Sequence, residues 1–244
     1  MLIDFHSHIL PGADHGSDSV ETSLAQIKKA KSVGIDVILS TSHYYQHRDS
    51  IRDFLARREH CYKKLRAALD EEGVDIKILK AAEVTLEVDL PNDPRLPELC
   101  IEGTNYILLE MPMNVKWTDW VYNSVYEIAV RHNVRPIIAH IDRYDEKYLK
   151  KLLEMDVLPQ INAVSLCNIF QRRKMLKYVR EGTVKFLGSD VHKAEAPQYD
   201  HFKKALEILG PEYTEQLMQN AAEVLGLSEK KKPNEGAAGG LLLF

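Results

Sequence analysis

The chain opens on Asp4-Phe5-His6-Ser7-His8, and alternate residues of a strand share one face, so His6 and His8 can reach one metal ion together. Further along, almost every stretch that reads as a buried strand ends on a nitrogen or oxygen donor. His43 follows Val37-Ile38-Leu39-Ser40-Thr41-Ser42, Glu83 follows Ile76-Lys77-Ile78-Leu79-Lys80-Ala81-Ala82, and Glu110 follows Tyr106-Ile107-Leu108-Leu109. His140 closes Pro136-Ile137-Ile138-Ala139, while Asp190 and His192 close Val184-Lys185-Phe186-Leu187-Gly188-Ser189. Taken singly, a His or Glu at a strand end is most often a solvated loop residue. With only ten histidines in the chain, the conjunction is what points to a polynuclear metal site on one rim.

Nitrogen and carboxylate donors without thiolates suit manganese, iron or zinc. Three divalent ions would outweigh the carboxylates of Glu83, Glu110, Asp190 and Asp14, leaving a positive site that favours an anionic guest. A phosphoryl group fits, because adjacent metals can clamp its oxygens and generate hydroxide at neutral pH. Arg143, three residues beyond His140, lies where a guanidinium could hold phosphate oxygens bidentately. Its alternative is an ion pair with Asp142 or Asp145. Cys167 to Arg173 matches the C-x5-R spacing of thiol-dependent phosphatases. That chemistry needs a glycine-rich turn of converging amides, and the intervening Asn168-Ile169-Phe170-Gln171-Arg172 reads as a helix start instead.

The elements that must position these residues alternate in type. Helical periodicity marks segments near 19–33, 50–72, 118–133, 145–155, 170–181, 199–209 and 213–226. In the first, Val20, Leu24, Ile27, Ala30 and Val33 recur at three- and four-residue spacing, and Gly34 is placed to end the helix. With Pro159-Gln160-Ile161-Asn162 as a further strand, the pattern predicts an α/β fold: an irregular TIM-like barrel of about seven parallel strands with outer helices. A doubly wound open sheet is the alternative, but it would gather ligands at one switch point. Residues 1–228 read as one domain and 229–244 as a flexible tail ending on Leu241-Leu242-Leu243-Phe244.

Composition narrows the function. A formal charge of -4 and a pI near 6.2 give no basic stripe for nucleic acid. Cys61, Cys100 and Cys167 are few, odd in number and widely spaced, which argues against a disulfide framework or a thiolate zinc site and for a reducing cytoplasm. Neither a secretory leader nor an apolar run long enough to span a bilayer is apparent, so a soluble cytoplasmic protein is expected.

Six segments together resemble the polymerase and histidinol phosphatase (PHP) superfamily. They are Asp4 to Pro11, Ser40-Thr41-Ser42-His43, Ala82-Glu83, Tyr106 to Glu110, Pro136 to Tyr144, and Gly188-Ser189-Asp190-Val191-His192. Within it the chain is similar, over about residues 1–226, to the metal-dependent tyrosine-protein phosphatases of bacterial capsule and exopolysaccharide loci, the CpsB/YwqE type. The resemblance implies a barrel holding three metals, usually manganese, with His6, His8, His43, Glu83, Glu110, His140, Asp190 and His192 as ligands. It also implies a substrate, phosphotyrosine on the tail of a bacterial tyrosine kinase that controls polysaccharide assembly. A homo-oligomer is compatible with it.

Two departures matter. Members carry Asp-Asp-Gly after the first strand where this chain has Asp14-His15-Gly16, so either Asp14 or His15 is the expected ligand there. Relatives also place an Arg soon after the last ligand, whereas Lys193-Ala194-Glu195-Ala196-Pro197 has none; phosphate contact would rest on Arg143, helped by Lys193 or Arg48. The leading expectation is a metal-dependent phosphatase in which Arg143 steadies the phosphoryl oxygens and a rim group, with Asp190 and His192 as candidates, serves proton transfer. The rivals are a small-molecule phosphomonoesterase such as histidinol phosphatase, an amidohydrolase, and a non-catalytic metal-binding regulator. The amidohydrolases commonly bridge metals with a carboxylated lysine, where this chain has Glu83 and Glu110.

Overall fold

A computed structural model describes residues 1–113 and 115–228; the expected tail at 229–244 lies outside the described residues. The chain runs β1 (Leu2–Ser7), α1 (Val20–Ser32), β2 (Ile35–Ser40), β3 (His43–Tyr44), α2 (Ile51–Glu71), β4 (Lys77–Lys80), β5 (Glu83–Thr85) and β6 (Tyr106–Glu110). It continues with α3 (Asp119–His132), β7 (Arg135–Ile138), α4 (Glu146–Leu152), β8 (Leu158–Asn162), α5 (Ala163–Cys167), α6 (Ile169–Arg180), β9 (Phe186–Gly188) and α7 (Gln198–Val224).

The strands form two parallel sheets, ordered β1-β2-β4 and β3-β5-β6-β7-β8-β9. Both orders rise monotonically with the sequence, so no point exists where the winding reverses, and the doubly wound alternative falls. Among the described residues nine strand segments stand where about seven strands were expected. The excess arises because two predicted strands are each interrupted: β2 gives way to β3 across Thr41-Ser42, and β4 to β5 across Ala81-Ala82. Hydrogen bonds still cross the gaps, from Thr41 N to Ser7 O (2.8 Å), Ala81 N to Ser40 O (2.8 Å) and Glu83 N to Thr41 O (3.2 Å). The last strand returns to the first through a bridge between Ser7 and Val191, with His8 N donating to Val191 O (2.9 Å) and Asp190 N to His6 O (2.7 Å).

Alternation along β1 sorts its side chains: Asp4, His6 and His8 share one face, and Ile3, Phe5 and Ser7 the other. Both faces are buried, and Phe5 stacks on Phe186 of β9 with ring centroids 4.0 Å apart. Helix α1 is capped by Ser19, whose side chain accepts from Thr22 N, and buries Ile27 and Ala30 on the predicted stripe. Gly34 then takes φ +90°, which ends the helix at no Cβ cost. The two last predicted helices are present, joined as α7 across a non-helical kink at Gly210 (φ 73°) ahead of Pro211, and α5 is a short helix that periodicity alone did not reveal.

Where β9 passes β1 the backbones are too close for a side chain. A Cβ on Gly188 would lie 2.4 Å from His6 Cβ and 2.9 Å from Gln160 Nε2. Gly188→Ala should therefore cost about 1–3 kcal/mol by overpacking, lowering the melting temperature by several degrees. Thermal unfolding measures it, and an unchanged melting temperature would refute the close approach.

Candidate metal centre

The strand ends deliver their donors to one buried cluster. Three groups of side chains each bring ligand atoms within 4.8 Å of one another: His6, His8 and Asp190; His8, His43 and His192; His43, Glu83 and Glu110. Glu83 lies at the junction. Its Oε2 is 3.1 Å from Nε2 of both His6 and His8 and 3.2 Å from Nδ1 of His43, while Oε1 accepts from His140 Nε2 at 2.7 Å. Glu110 Oε1 stands 3.6 Å from the same His140 nitrogen, and its Oε2 accepts from Thr85.

The backbone is strained where two donors leave their strands. His140 after β7 has φ +32° and Asp190 after β9 has φ +55°, a left-handed region that branched or bulky residues avoid. Such strain persists only where surroundings enforce it. Here Gln160 Oε1 accepts from His140 N (2.7 Å), and Asp190 N donates to His6 O.

A further layer of residues fixes the imidazoles. His6 Nδ1 faces Gln160 Oε1 at 3.2 Å and His8 Nδ1 faces Asp14 Oδ2 at 2.7 Å, so each carries its proton on Nδ1 and turns Nε2 inward. The two Nε2 atoms then stand 3.2 Å apart and both face Glu83, a spacing at which a positive charge between them is favourable. His43 Nδ1, buried beside Glu83, makes no hydrogen bond among the described residues, as a donor awaiting a metal would. These observations fit divalent metals.

The electrostatics agree. Burial lowers the His8 pKa, but Asp14, Asp190 and Glu83 outweigh it and raise it well above the ordinary value: the cluster draws positive charge. Burial would raise Asp190 and Glu83, yet the facing imidazoles hold both carboxyls well below their usual range. Burial pushes His43 down to about 3 and His192 to about 4, leaving neutral nitrogens of the kind metals take. Glu110 is raised by burial and by the neighbouring Glu83, as expected of two carboxylates sharing one site.

The two residues offered for the second loop differ. Asp14 spends its carboxylate on His8 Nδ1, on His43 N (2.8 Å) and on Gly16 N (2.8 Å), which makes it an orienting group in this arrangement. His15 is exposed but lies against the cluster, its ring 4.6 Å from that of His43 and 4.8 Å from that of His192. Gly16 lets the loop press on β1, since a Cβ there would sit 2.4 Å from His8 Cβ.

Arg143 follows His140 in a single turn of 3-10 helix and donates to Asp190 Oδ2 at 2.5 Å. Neither alternative partner takes it: Asp142 accepts from Asn162 N, and Asp145 pairs with Lys147. Its side chain is 41% exposed, so the guanidinium is anchored at one end and open at the other. Arg48 is exposed over the Tyr45 ring at 5.1 Å, and that ring stacks on His43 at 5.2 Å, so the arginine stands one residue layer outside the cluster. Lys193, beside His192, is exposed. Cys167 lies elsewhere, at the end of α5, its Sγ 3.5 Å from His201 O and its pKa raised by burial; no phosphate loop surrounds it.

Sequence reasoning passed over Gln160, Asn162, Thr85 and Tyr45. Gln160 orients His6 and His140, and Asn162 Nδ2 donates to Asp190 Oδ2 at 2.7 Å. A signal existed: both are polar residues two apart in a strand with buried neighbours, which places two amides on one interior face.

The family model for capsular polysaccharide synthesis proteins of the CpsB/CapC type matches residues 2–226. Tyrosine-protein phosphatase CpsB of Streptococcus agalactiae is 24% identical over 243 residues, covering 92% of this chain and 98% of that protein. Its Streptococcus pneumoniae namesake is 25% identical over 228 residues, covering 87% and 91%. Among solved structures, those of YwqE from Bacillus subtilis and CpsB from Streptococcus pneumoniae, unique metal-dependent tyrosine phosphatases, include a chain that superposes with a TM-score of 0.80. That chain is 24% identical, with 93% of this chain and 96% of that one covered, and the likeness extends to the fold. A match over nearly the whole described length places the chain in a family: it belongs to the CpsB/CapC family of capsular polysaccharide synthesis proteins.

Proposed function

We propose that this protein is a metal-dependent phosphatase that hydrolyses phosphotyrosine in proteins. The observation that carries the reading is the convergence of three donor groups on one rim with a half-exposed arginine anchored at their edge. The names of the relatives support the substrate class, and the capsular family supports a bacterial tyrosine kinase regulating polysaccharide synthesis as the phosphoprotein. A cytoplasmic setting suits three unpaired cysteines, and no helix among the described residues is long and apolar enough to cross a membrane.

We read the nine strand segments as seven staves, with β2/β3 and β4/β5 as two interrupted ones, closed through Ser7 and Val191. The residues that would hold the ions are His6, His8, His43, Glu83, Glu110, His140, Asp190 and His192, with Glu83 in reach of four of the imidazoles. Three ions fit the three groups, and manganese, iron or zinc suit the donors. When bound, such ions supply Lewis acidity toward phosphoryl oxygens and lower the pKa of water.

The chain's own groups do the rest. Arg143, held by Asp190 at one end of its fork, keeps its remaining N–H donors for the phosphoryl oxygens and stabilises charge that grows on them during transfer. Gln160 and Asp14 hold His6 and His8 in one tautomer, so that no reorientation is needed when the ions bind. His15, exposed against His43 and His192, and Lys193, exposed next to His192 in the chain, are the groups offered for the departing phenolate or phosphate.

Chelation should abolish turnover of a phosphotyrosine peptide and added manganese restore it, with phosphoserine peptide and histidinol phosphate as the comparison substrates. Full activity in protein shown to contain no metal would end the reading; a preference for histidinol phosphate would redirect it to small molecules.

Arg143→Ala should keep its fold and lose about 10² to 10³ in kcat. Metal content is measured alongside, because the variant also frees Asp190. Near-normal kinetics would leave Arg143 as a structural partner of Asp190 alone.

Asp14→Ala and His15→Ala separate orientation from ligation. Asp14→Ala should weaken metal binding about 10- to 100-fold by freeing the His8 ring. If His15→Ala retains every ion and full activity, His15 is no ligand.

A further inference from the structure

Beside the metal cluster a cleft opens on the β6 and β7 side. It encloses about 310 Å³ and is walled by Met113, Val115, Lys116, Trp117, Arg143 and Lys147. The cleft is built. Trp117, nearly buried, donates its indole N–H to Pro112 O (2.8 Å), which pins the loop after β6. The same indole stacks on Tyr148 (5.1 Å, 17°) and meets Tyr144 at 5.2 Å, giving the cleft an aromatic floor. Tyr144 in turn accepts from Met111 N and lies 5.6 Å from the His140 ring, so floor and metal cluster share a wall.

Its surface has two characters. Met113 and Val115 are 40% and 53% exposed, an apolar lip that nothing covers among the described residues. Of the charges, Arg143 is held by Asp190, Lys147 by Asp145 across 2.8 Å and over the Tyr148 ring, while Lys116 is exposed and in no ion pair among the described residues. With Arg143 and Lys147 offset by Asp190 and Asp145, Lys116 leaves the cleft with a net positive charge, and Arg143 borders both the cleft and the cluster. A phosphotyrosine whose phosphate sits at Arg143 would carry its neighbouring residues across this lip.

We propose that the cleft is a peptide subsite: it takes residues flanking the phosphotyrosine, packs their apolar atoms on Met113 and Val115, and selects an acidic side chain through Lys116. The assignment rests on the phosphotyrosine phosphatase reading and deepens it. A free small aryl phosphate would reach the metal cluster without filling the cleft.

The test compares manganese-loaded wild type and Lys116→Glu on three substrates: a phosphotyrosine peptide flanked by Glu, the same peptide flanked by Lys, and p-nitrophenyl phosphate. Wild type should prefer the Glu-flanked peptide. The variant should lose about three- to tenfold in kcat/KM on it, relative to p-nitrophenyl phosphate and mainly through KM, and should gain on the Lys-flanked peptide. Equal changes on all three substrates, or no change in the ratio, would overturn the subsite and leave the phosphatase standing. Wild type inactive on all three would instead sink the phosphatase reading, and the subsite with it.

Discussion

Everything in this molecule answers to one electrostatic constraint: five imidazoles and three carboxylates are packed together at the ends of parallel strands. Glu83 is the clearest case, since its two oxygens lie within 3.2 Å of nitrogens from His6, His8, His43 and His140 while the side chain is 1% exposed. Donors this close repel one another unless positive charge sits among them. The raised pKa of His8 and the lowered ones of Asp190 and Glu83 express the same demand through protons.

Holding such a cluster requires rigidity that the ligands do not supply. Parallel strands in rising order bring each new donor to the same rim, and the outward faces are covered by helices. Two donors are then turned inward by left-handed backbone at His140 and Asp190, stabilised through Gln160 and through the β1 carbonyls. Gly188 and Gly16 complete the fit by removing side chains where backbone must touch the histidine strand. Function-bearing strain is thus confined to a few residues while the surrounding core is apolar and closely packed.

Charge recognition is layered outward from this centre. Arg143 stands between the buried cluster and the Trp117 cleft, fixed to Asp190 on one side and open on the other. A guanidinium so placed has already given up much of its side-chain freedom. The exposed cations Lys116 and Lys193 are open to solvent, which screens their charge.

The sequence by itself determined the alternation of strand and helix, the shared face of His6 and His8, and which strand ends carry donors, because these follow from periodicities of two and 3.6 residues that act locally. It also exposed Cys167 as a decoy, since no glycine-rich turn surrounds it. Local pattern could not show that β2/β3 and β4/β5 are interrupted ahead of His43 and Glu83, because strand pairing is set only in the assembled sheet. Nor could it tell that Asp14 turns to His8 while the His15 ring lies against His43 and His192: adjacent residues in one loop are separated only by where the loop lands. Gln160 and Asn162 acquire their roles the same way, 154 residues from His6 and 28 from Asp190 along the chain yet within hydrogen-bond reach in space. Hydrogen bonds of that range depend on the assembled sheet, and so the orientation of each imidazole, unlike its identity, was decided by tertiary structure.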